Sequence, residues 1–428
     1  MVGSGGAGFP THTKLDAKAD IVIINGSECE PLLRVDQQLM EKYAKELLFT
    51  LDQLVQLVGA KEGVVALKGH YHDAIHALEA HLKDYPKLRI QRTGPFYPTG
   101  DEQVLVYEVT GRIVPEGGIP FQVGAVVVNV ETALNLFYAI ERGLAVTSKY
   151  VTLSGAVKTP KTVKVPIGTP VLEAVALAGG PAVPSYRIIN GGPMMGRFAS
   201  PDSSVTKTTK ALLILPENHP LLRDLDKELS HVLREARTAC MQCSLCSEVC
   251  PRSNLGHRLK PHKLMRMASY GKFLDPEYTP MNAFLCSGCR LCQYACVMNL
   301  QPWKLNGHLK GLMAQNGVKN SLHDTPREVE PFRGYKRYPD HKLVHQLGLG
   351  AYDVPAPLDE TMPAVSHVVL PLRQSAGAAA EPVVQTGAKV QEGDLVARVP
   401  EGKLGANLHA SIKGEIAAVT ADSIIIKR

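Results

Sequence analysis

Two cysteine runs carry the clearest chemistry in this chain: CMQCSLCSEVCP at 240–251 and CSGCRLCQYACV at 286–297. Each has the spacing C-x2-C-x2-C-x3-C. Two-residue spacers turn the backbone around one corner of an iron–sulfur cubane, and in a two-cluster protein the fourth cysteine of each run reaches the other cluster. The spacing therefore assigns Cys240, Cys243, Cys246 and Cys296 to one 4Fe–4S cluster. Cys286, Cys289, Cys292 and Cys250 go to the second. Structural zinc is the rival reading. Zinc is satisfied by four ligands in paired C-x2-C steps, so the third step in each run is surplus to it. Pro251 follows the first run as in ferredoxins, whereas Val297 stands where a second proline is usual. His257 and His262, between the runs, read as caps or groups behind the ligands.

The ninth cysteine, Cys29, lies outside the runs. Clustering of this kind, without a secretion signal, reads as metal binding in a reducing, cytoplasmic setting rather than as disulfides. The chain has 428 residues, 45% hydrophobic and 21% charged. That suits two to four folded domains. Formal net charge is +6. Two cubanes with their thiolates, each carrying roughly −2, would lower it to about +2. No dense basic stripe points to nucleic acid, and no apolar run is long enough for direct membrane insertion.

The elements that must hold these groups divide the chain. Residues 1–148 read as α/β: a helix over Gln38–Val58, a strand at 63–69, a helix at 72–82, a strand at 87–92, and AVVVNVETALNLFYAIERG as a strand running into a helix. The Asn129–Thr132 turn then falls at the carboxyl end of a strand, where such folds place ligands. Residues 149–216 read as a compact β-grasp-like module. Residues 217–320 are helical and hold the cysteines, 321–363 read as a linker, and 364–428 as short strands in a flattened barrel or sandwich.

One feature stands apart from these elements: GSGGAG at 3–8, a glycine loop with no strand ahead of it. It lacks the spacing of a dinucleotide fingerprint. It is joined by NGSECEP (25–31), YPTGDEQVL (97–105) and NVET (129–132). Together these resemble the flavin- and NADH-binding subunit of respiratory complex I and, more closely, the RnfC family. The resemblance implies a multidomain α/β fold. Its parts are a flavin/NADH domain of the complex I 51-kDa type, an SLBB module, a ferredoxin-type dicluster domain and a barrel-sandwich-hybrid domain. It implies FMN as cofactor and NADH as donor. Gly3, Gly5 and Gly6 would approach the FMN, with Lys14 near its phosphate. Asn25, Glu28, Asn129 and Thr132 would bond the isoalloxazine or ribityl chain. Phe9, Glu30, Asp101 and Glu102 would lie near the flavin or the NADH. Ser4 and Ser27 depart from the complex I pattern, which has Arg and Asp there. No catalytic acid or base is assigned.

The barrel-like text comes last here, whereas RnfC proteins carry it first. That order, with GGPMMG (191–196), NLGHRLKPHKLMR and LNGHLKGLMAQN, is similar to the cobalamin reductases of propanediol-utilisation microcompartments. The resemblance implies an NADH-dependent reductase with a corrinoid acceptor. Its finer implications are a cobalamin adenosyltransferase and microcompartment shell proteins as partners, and a place inside a bacterial microcompartment, although neither end reads as an amphipathic targeting helix. The alternative is an RnfC-like electron-input subunit of a membrane ion-pumping complex. A third reading is an electron-transfer or scaffold protein without flavin. His72 with His76, and His341 with His345, read as solvated helix faces, since no carboxylate pattern completes a metal site. Cys29 reads as a buried small residue. Lys403 stands at a lipoyl-like hairpin position but lacks the flanks of a modified lysine.

Overall fold

The computed structural model describes residues 1–16, 18–271 and 278–428. Residues 272–277, within the expected two-cluster span, lie outside the described residues. A four-stranded parallel sheet comes first, in the spatial order Leu88–Thr93, Glu62–Lys68, Ile21–Gly26, Ala125–Asn129. Strand Ile21–Gly26 is buried along its whole length, as expected of a parallel strand covered on both faces. Ile21 and Ile23 face a layer with Val64, Ala66, Leu105 and Val127. Val22 and Ile24 face the opposite layer, with Leu39, Leu47, Leu51 and Val128. The period of two thus sorts one apolar run into two cores.

The helix expected over Gln38–Val58 is two helices, Val35–Lys42 and Ala44–Val58, broken at Tyr43, whose φ of −118° leaves the helical well. The apolar period runs through the break, so pattern alone could not reveal it. The other expected strands and helices of this region lie within a residue or so of their expected places.

The β-grasp-like module pairs Ser148–Gly155 with Lys161–Pro166 antiparallel, packs helix Val171–Ala176 on them, and returns in Ala211–Pro216 parallel to the first strand. The cysteine-bearing segment is held by helices Leu229–Ala239, Pro261–Tyr270 and Pro302–Gln315, which share a core with Ala236, Leu264, Met265 and Leu305. The last module is a pair of small sheets enclosing Val368, Val396, Ile416 and Ile424.

Residues 321–363 carry structure of their own. Tyr338–Pro339 pairs with Phe96–Tyr97, and Leu358–Asp359 extends the β-grasp sheet. Asp340 receives Lys68 at 2.6 Å, and Glu108 receives Arg333 and Arg337 at 2.6 and 2.8 Å. Tyr338, Leu343, Leu347 and Leu349 are buried in a core shared with Leu32, Tyr97, Ile189 and Leu291, and the short helix that carries Leu343 spans only Asp340–Gln346, too few residues to show a sustained period. Among the described residues no helix is long and apolar enough to cross a membrane.

Candidate functional site

The first sheet reverses its strand order between Ile21–Gly26 and Ala125–Asn129. A crevice opens beyond the carboxyl ends of strands at such a point. Asn25 and Asn129 are register partners there. Asn25 Nδ2 donates to the Gly100 carbonyl at 2.9 Å, and its Oδ1 accepts from Ser27 N at 3.1 Å. This side chain ties the 25–31 turn to the 97–102 turn. Gly100 sits so close to the Ser27 carbonyl that any Cβ would collide with it.

The glycine loop folds over the crevice. Val2 bridges Pro10, and Gly3 N donates to the Phe9 carbonyl at 3.0 Å. Thr132 Oγ1 accepts from Ser4 N at 2.9 Å, while Asn135 Nδ2 donates to Ser4 Oγ at 3.1 Å. A Cβ on Gly5 would lie 3.5 Å from Asn129 Nδ2 and 3.2 Å from Lys210 Cε. Gly6 has φ +58°, and a Cβ there would meet nothing in the protein. The loop therefore offers bare backbone on one side and is pinned by Thr132 and Asn135 on the other.

Buried acids line the next layer. Glu28 accepts from Asp36 N at 3.2 Å, and Asp36 is ion-paired with Lys210. Glu28 Oε1 and Asp36 Oδ1 are buried without protein partners. Burial, with the Asp36 charge, pushes Glu28 up to about 7. Glu30 is likewise pushed up to about 7 by burial. Its Oε2 accepts from Met194 N at 2.8 Å, so the GGPMMG turn closes over it. Cys29 lies between the two acids. Burial pushes its thiol up to about 12, which keeps it an unreactive packing residue.

The other expected ligand residues are engaged with protein. Lys14 donates to Glu102 at 2.9 Å and to the Val127 carbonyl at 3.1 Å. Asp101 caps helix Glu102–Thr110 through Gln103 N and Val104 N and also holds Arg252. Phe9 is half-buried beside the loop.

Two cavities lie in the cysteine segment. Cys240, Cys243, Cys246 and Cys296 line one, with His262 behind them. Cys250, Cys286, Cys289 and Cys292 line the other. Each run holds one short helical turn, and each turn starts from a residue at positive φ, Ser244 at +62° and Arg290 at +63°. That kink lets the chain wrap. Gln242 Nε2 reaches Cys240 Sγ at 3.0 Å and Gly288 N reaches Cys286 Sγ at 3.4 Å. Burial pushes Cys246 up to about 12 and Cys250 up to about 11. A thiolate at either position needs compensating positive charge of the kind iron supplies. His262 Nδ1 meets Ser247 Oγ at 2.7 Å, and buried His257 Nε2 meets the Val114 carbonyl at 2.9 Å. His72, His76, His341, His345 and Lys403 are all exposed.

The second cavity abuts the crevice. Arg252, two residues after Cys250, is paired with Asp101. Arg290, next to Cys289, donates to the Gly196 carbonyl at 3.0 Å, in the same turn that holds Glu30. Tyr97 Oη donates to the Cys289 carbonyl at 3.0 Å. The first cavity faces outward: Cys243 is exposed, and Met241, Val297 and Met298 stand 63%, 65% and 46% exposed at its rim.

Four known families match in turn. The Nuo51 FMN-binding domain covers residues 1–138, the SLBB domain 150–198, the 4Fe-4S dicluster domain 239–301 and the RnfC barrel sandwich hybrid domain 357–427. The chain is 43% identical over 431 residues to the cobalamin reductase PduS of Salmonella typhimurium, covering 100% of this chain and 94% of that protein. It belongs to the PduS family. The PduS of Citrobacter freundii is 41% identical with the same coverage. A component of the Na(+)-translocating ferredoxin:NAD(+) oxidoreductase complex of Acetobacterium woodii is 35% identical over 258 residues, 59% of this chain and 55% of that one.

The residues of this PduS-family chain fit the groups those domains bind. The bare glycine loop, the two asparagines and the spare carboxylate oxygens of Glu28 and Asp36 suit a flavin with N–H and hydroxyl donors. Two foursomes of thiols suit two cubanes. Sequence reasoning missed Lys210, Asp36, Asn135, Arg252 and Arg290. Arg252 and Arg290 adjoin cysteines, which was the one local signal; the partners of the others lie far away along the chain.

Proposed function

We infer that this protein is an NADH-dependent flavo-iron-sulfur reductase that delivers electrons to a corrinoid. The observation that carries this is identity with cobalamin reductases along the whole chain, together with a crevice and two thiol cavities arranged in series. FMN, when bound, exchanges an electron pair with nicotinamide and single electrons with 4Fe–4S clusters. The chain's own residues do the positioning. Gly3, Gly5 and Gly6 let a ring approach backbone. Asn25 and Asn129 orient it, and Glu28 keeps a proton or a spare acceptor at hand near neutral pH. Cys250, Cys286, Cys289 and Cys292 would hold the cluster beside the crevice. Cys240, Cys243, Cys246 and Cys296 would hold the outer one. The exposed Met241, Val297 and Met298 give that outer site a dry rim for an acceptor to meet.

The same reading extends to an adenosyltransferase that takes the reduced corrinoid, and to a microcompartment shell around both. Co-purification from cells that also express a cobalamin adenosyltransferase and shell proteins tests that part. The Acetobacterium relative supports a second reading, electron input to an ion-translocating complex. Anaerobic stopped-flow reduction by NADH, with cob(II)alamin and ferredoxin as competing acceptors, separates the two. Preference for cob(II)alamin is expected. Preference for ferredoxin favours the second, and failure with both removes each.

A further inference from the structure

We propose that a cleft between the flavin-domain helix, the β-grasp sheet and the C-terminal sandwich is a second small-molecule site, built for an organic phosphate of nucleotide size. The cleft encloses about 830 Å³, within the range of ligand pockets. Helix Val130–Arg142 starts at the strand-order reversal and ends at the cleft. Its 13 residues place the two sites roughly 20 Å apart.

Charge marks the cleft. Arg142, Lys164, Lys413 and Arg428 all line it. Among the described residues none of the four is in an ion pair, whereas Arg252, Arg333 and Arg337 each have a carboxylate. Among the described residues of the wall, Glu392 is the one carboxylate side chain, and it accepts from Thr147 Oγ1 at 2.8 Å. The carbonyl end of the helix, closed by Gly143 N and Leu144 N on the Ala139 and Tyr138 carbonyls, brings a partial charge of about −0.5 to the cleft, which the four cations outweigh. A concave surface with a clear excess of one sign over low-dielectric walls concentrates counter-charge.

Aromatic rings seat two of these cations. Arg142 lies over the Tyr138 ring at 5.3 Å and Lys164 over the Tyr150 ring at 5.4 Å. Leu144 and Met362 stand exposed at the mouth. Such a surface takes a phosphate among its cations and the apolar part of the organic group against Leu144 and Met362. Two ligand sources share that chemistry: a free nucleotide, and the phosphate-bearing nucleotide arm of a corrinoid. The proposal is read out by binding rather than turnover, so it stands or falls separately from the acceptor assignment.

The test is equilibrium dialysis of the full, cofactor-loaded protein against ADP, cyanocobalamin and inorganic pyrophosphate, at low and high salt, beside a K164E/K413E variant. Saturable binding of ADP or cyanocobalamin is expected. It should weaken at least tenfold in the variant, with a shallower salt dependence, and pyrophosphate should bind more weakly than the organic probe. Flavin content and NADH-driven flavin bleaching should match wild type, showing that the variant is folded. A preference for ADP assigns a nucleotide, and a preference for cyanocobalamin assigns the corrinoid arm. Absence of binding, binding unchanged by the variant, or pyrophosphate binding as tightly as the organic probes would overturn the proposal.

Discussion

Arg252 and Asp101 form a two-pronged ion pair, Nη1 to Oδ1 at 2.6 Å and Nη2 to Oδ2 at 2.9 Å, with both side chains nearly enclosed. Asp101 belongs to the turn that Asn25 anchors, and Arg252 follows Cys250. Together with the contacts of Arg290 and Tyr97, this pair sets the distance between the crevice and its neighbouring thiol cavity. A planar fork on a carboxylate sets orientation as well as separation.

Replacing Arg252 by Met leaves the Asp101 charge buried with only its two helix N–H donors. Breaking such a pair costs about 3–5 kcal/mol, and urea unfolding of the loaded protein should show a loss of that order. Burial alone would raise the Asp101 carboxyl, but Arg252 and the cap hold it below its ordinary value. A depressed carboxylate adds stability above its unfolded pKa near 4 and loses it as pH falls through the native value. The wild type should therefore lose more stability than R252M on acidification below pH 4.

Gly6 and Gly143 both adopt positive φ, +58° and +63°, and a Cβ at either meets no protein atom. Valine at either position costs roughly 1–2 kcal/mol of left-handed strain. Only Gly6 faces the crevice. G6V should lose FMN on dialysis at least tenfold more readily than wild type, while G143V retains it; the flavin-to-protein absorbance ratio reports both.

The cysteine spacing was legible because covalent ligation imposes a local rule on the chain. The glycine loop stood out because a run of glycines with no strand ahead of it is itself a local pattern. Arg290 and Lys210 obey no local rule. Their partners, at Gly196 and Asp36, lie 94 and 174 residues away along the chain. The same distance effect explains Lys14 and Asp101. Each has the charge to suit a ligand, yet the fold brings Glu102 and Arg252 within reach first. The Tyr43 break escaped notice because both helices present apolar residues to the same sheet.

Thr132 Oγ1 is the acceptor for Ser4 N, and both residues are buried. T132V keeps the shape and removes the acceptor. An unsatisfied buried N–H costs about 1–3 kcal/mol, and here the loop can instead shift away from helix Val130–Arg142. FMN affinity, measured by fluorescence titration, should weaken by about 5- to 150-fold, with the iron–sulfur absorbance unchanged.

Glu30 has its carboxyl raised to about 7 by burial, against an ordinary value near 4.3. Between those values the folded state holds a proton that the unfolded state releases. Stability must therefore fall as pH rises through that window, by at most about 1.4 kcal/mol per pH unit from this group. E30Q keeps the contact with Met194 N and carries no proton to lose. Its melting temperature between pH 5 and 7 should be flatter than that of wild type.

The contacts of Arg252, Arg290 and Tyr97 put the Cys250 foursome next to the crevice and leave the Cys243 foursome outside. Two serine variants separate these positions. C243S should disturb only the outer cluster, so NADH should still produce the low-temperature EPR signal of one reduced cluster while corrinoid reduction falls at least tenfold. C289S strikes the inner site. NADH should then bleach the flavin without reducing the outer cluster on the millisecond scale. If C243S instead abolished all cluster reduction and C289S spared it, the two cavities would have to be placed in the opposite order along the path.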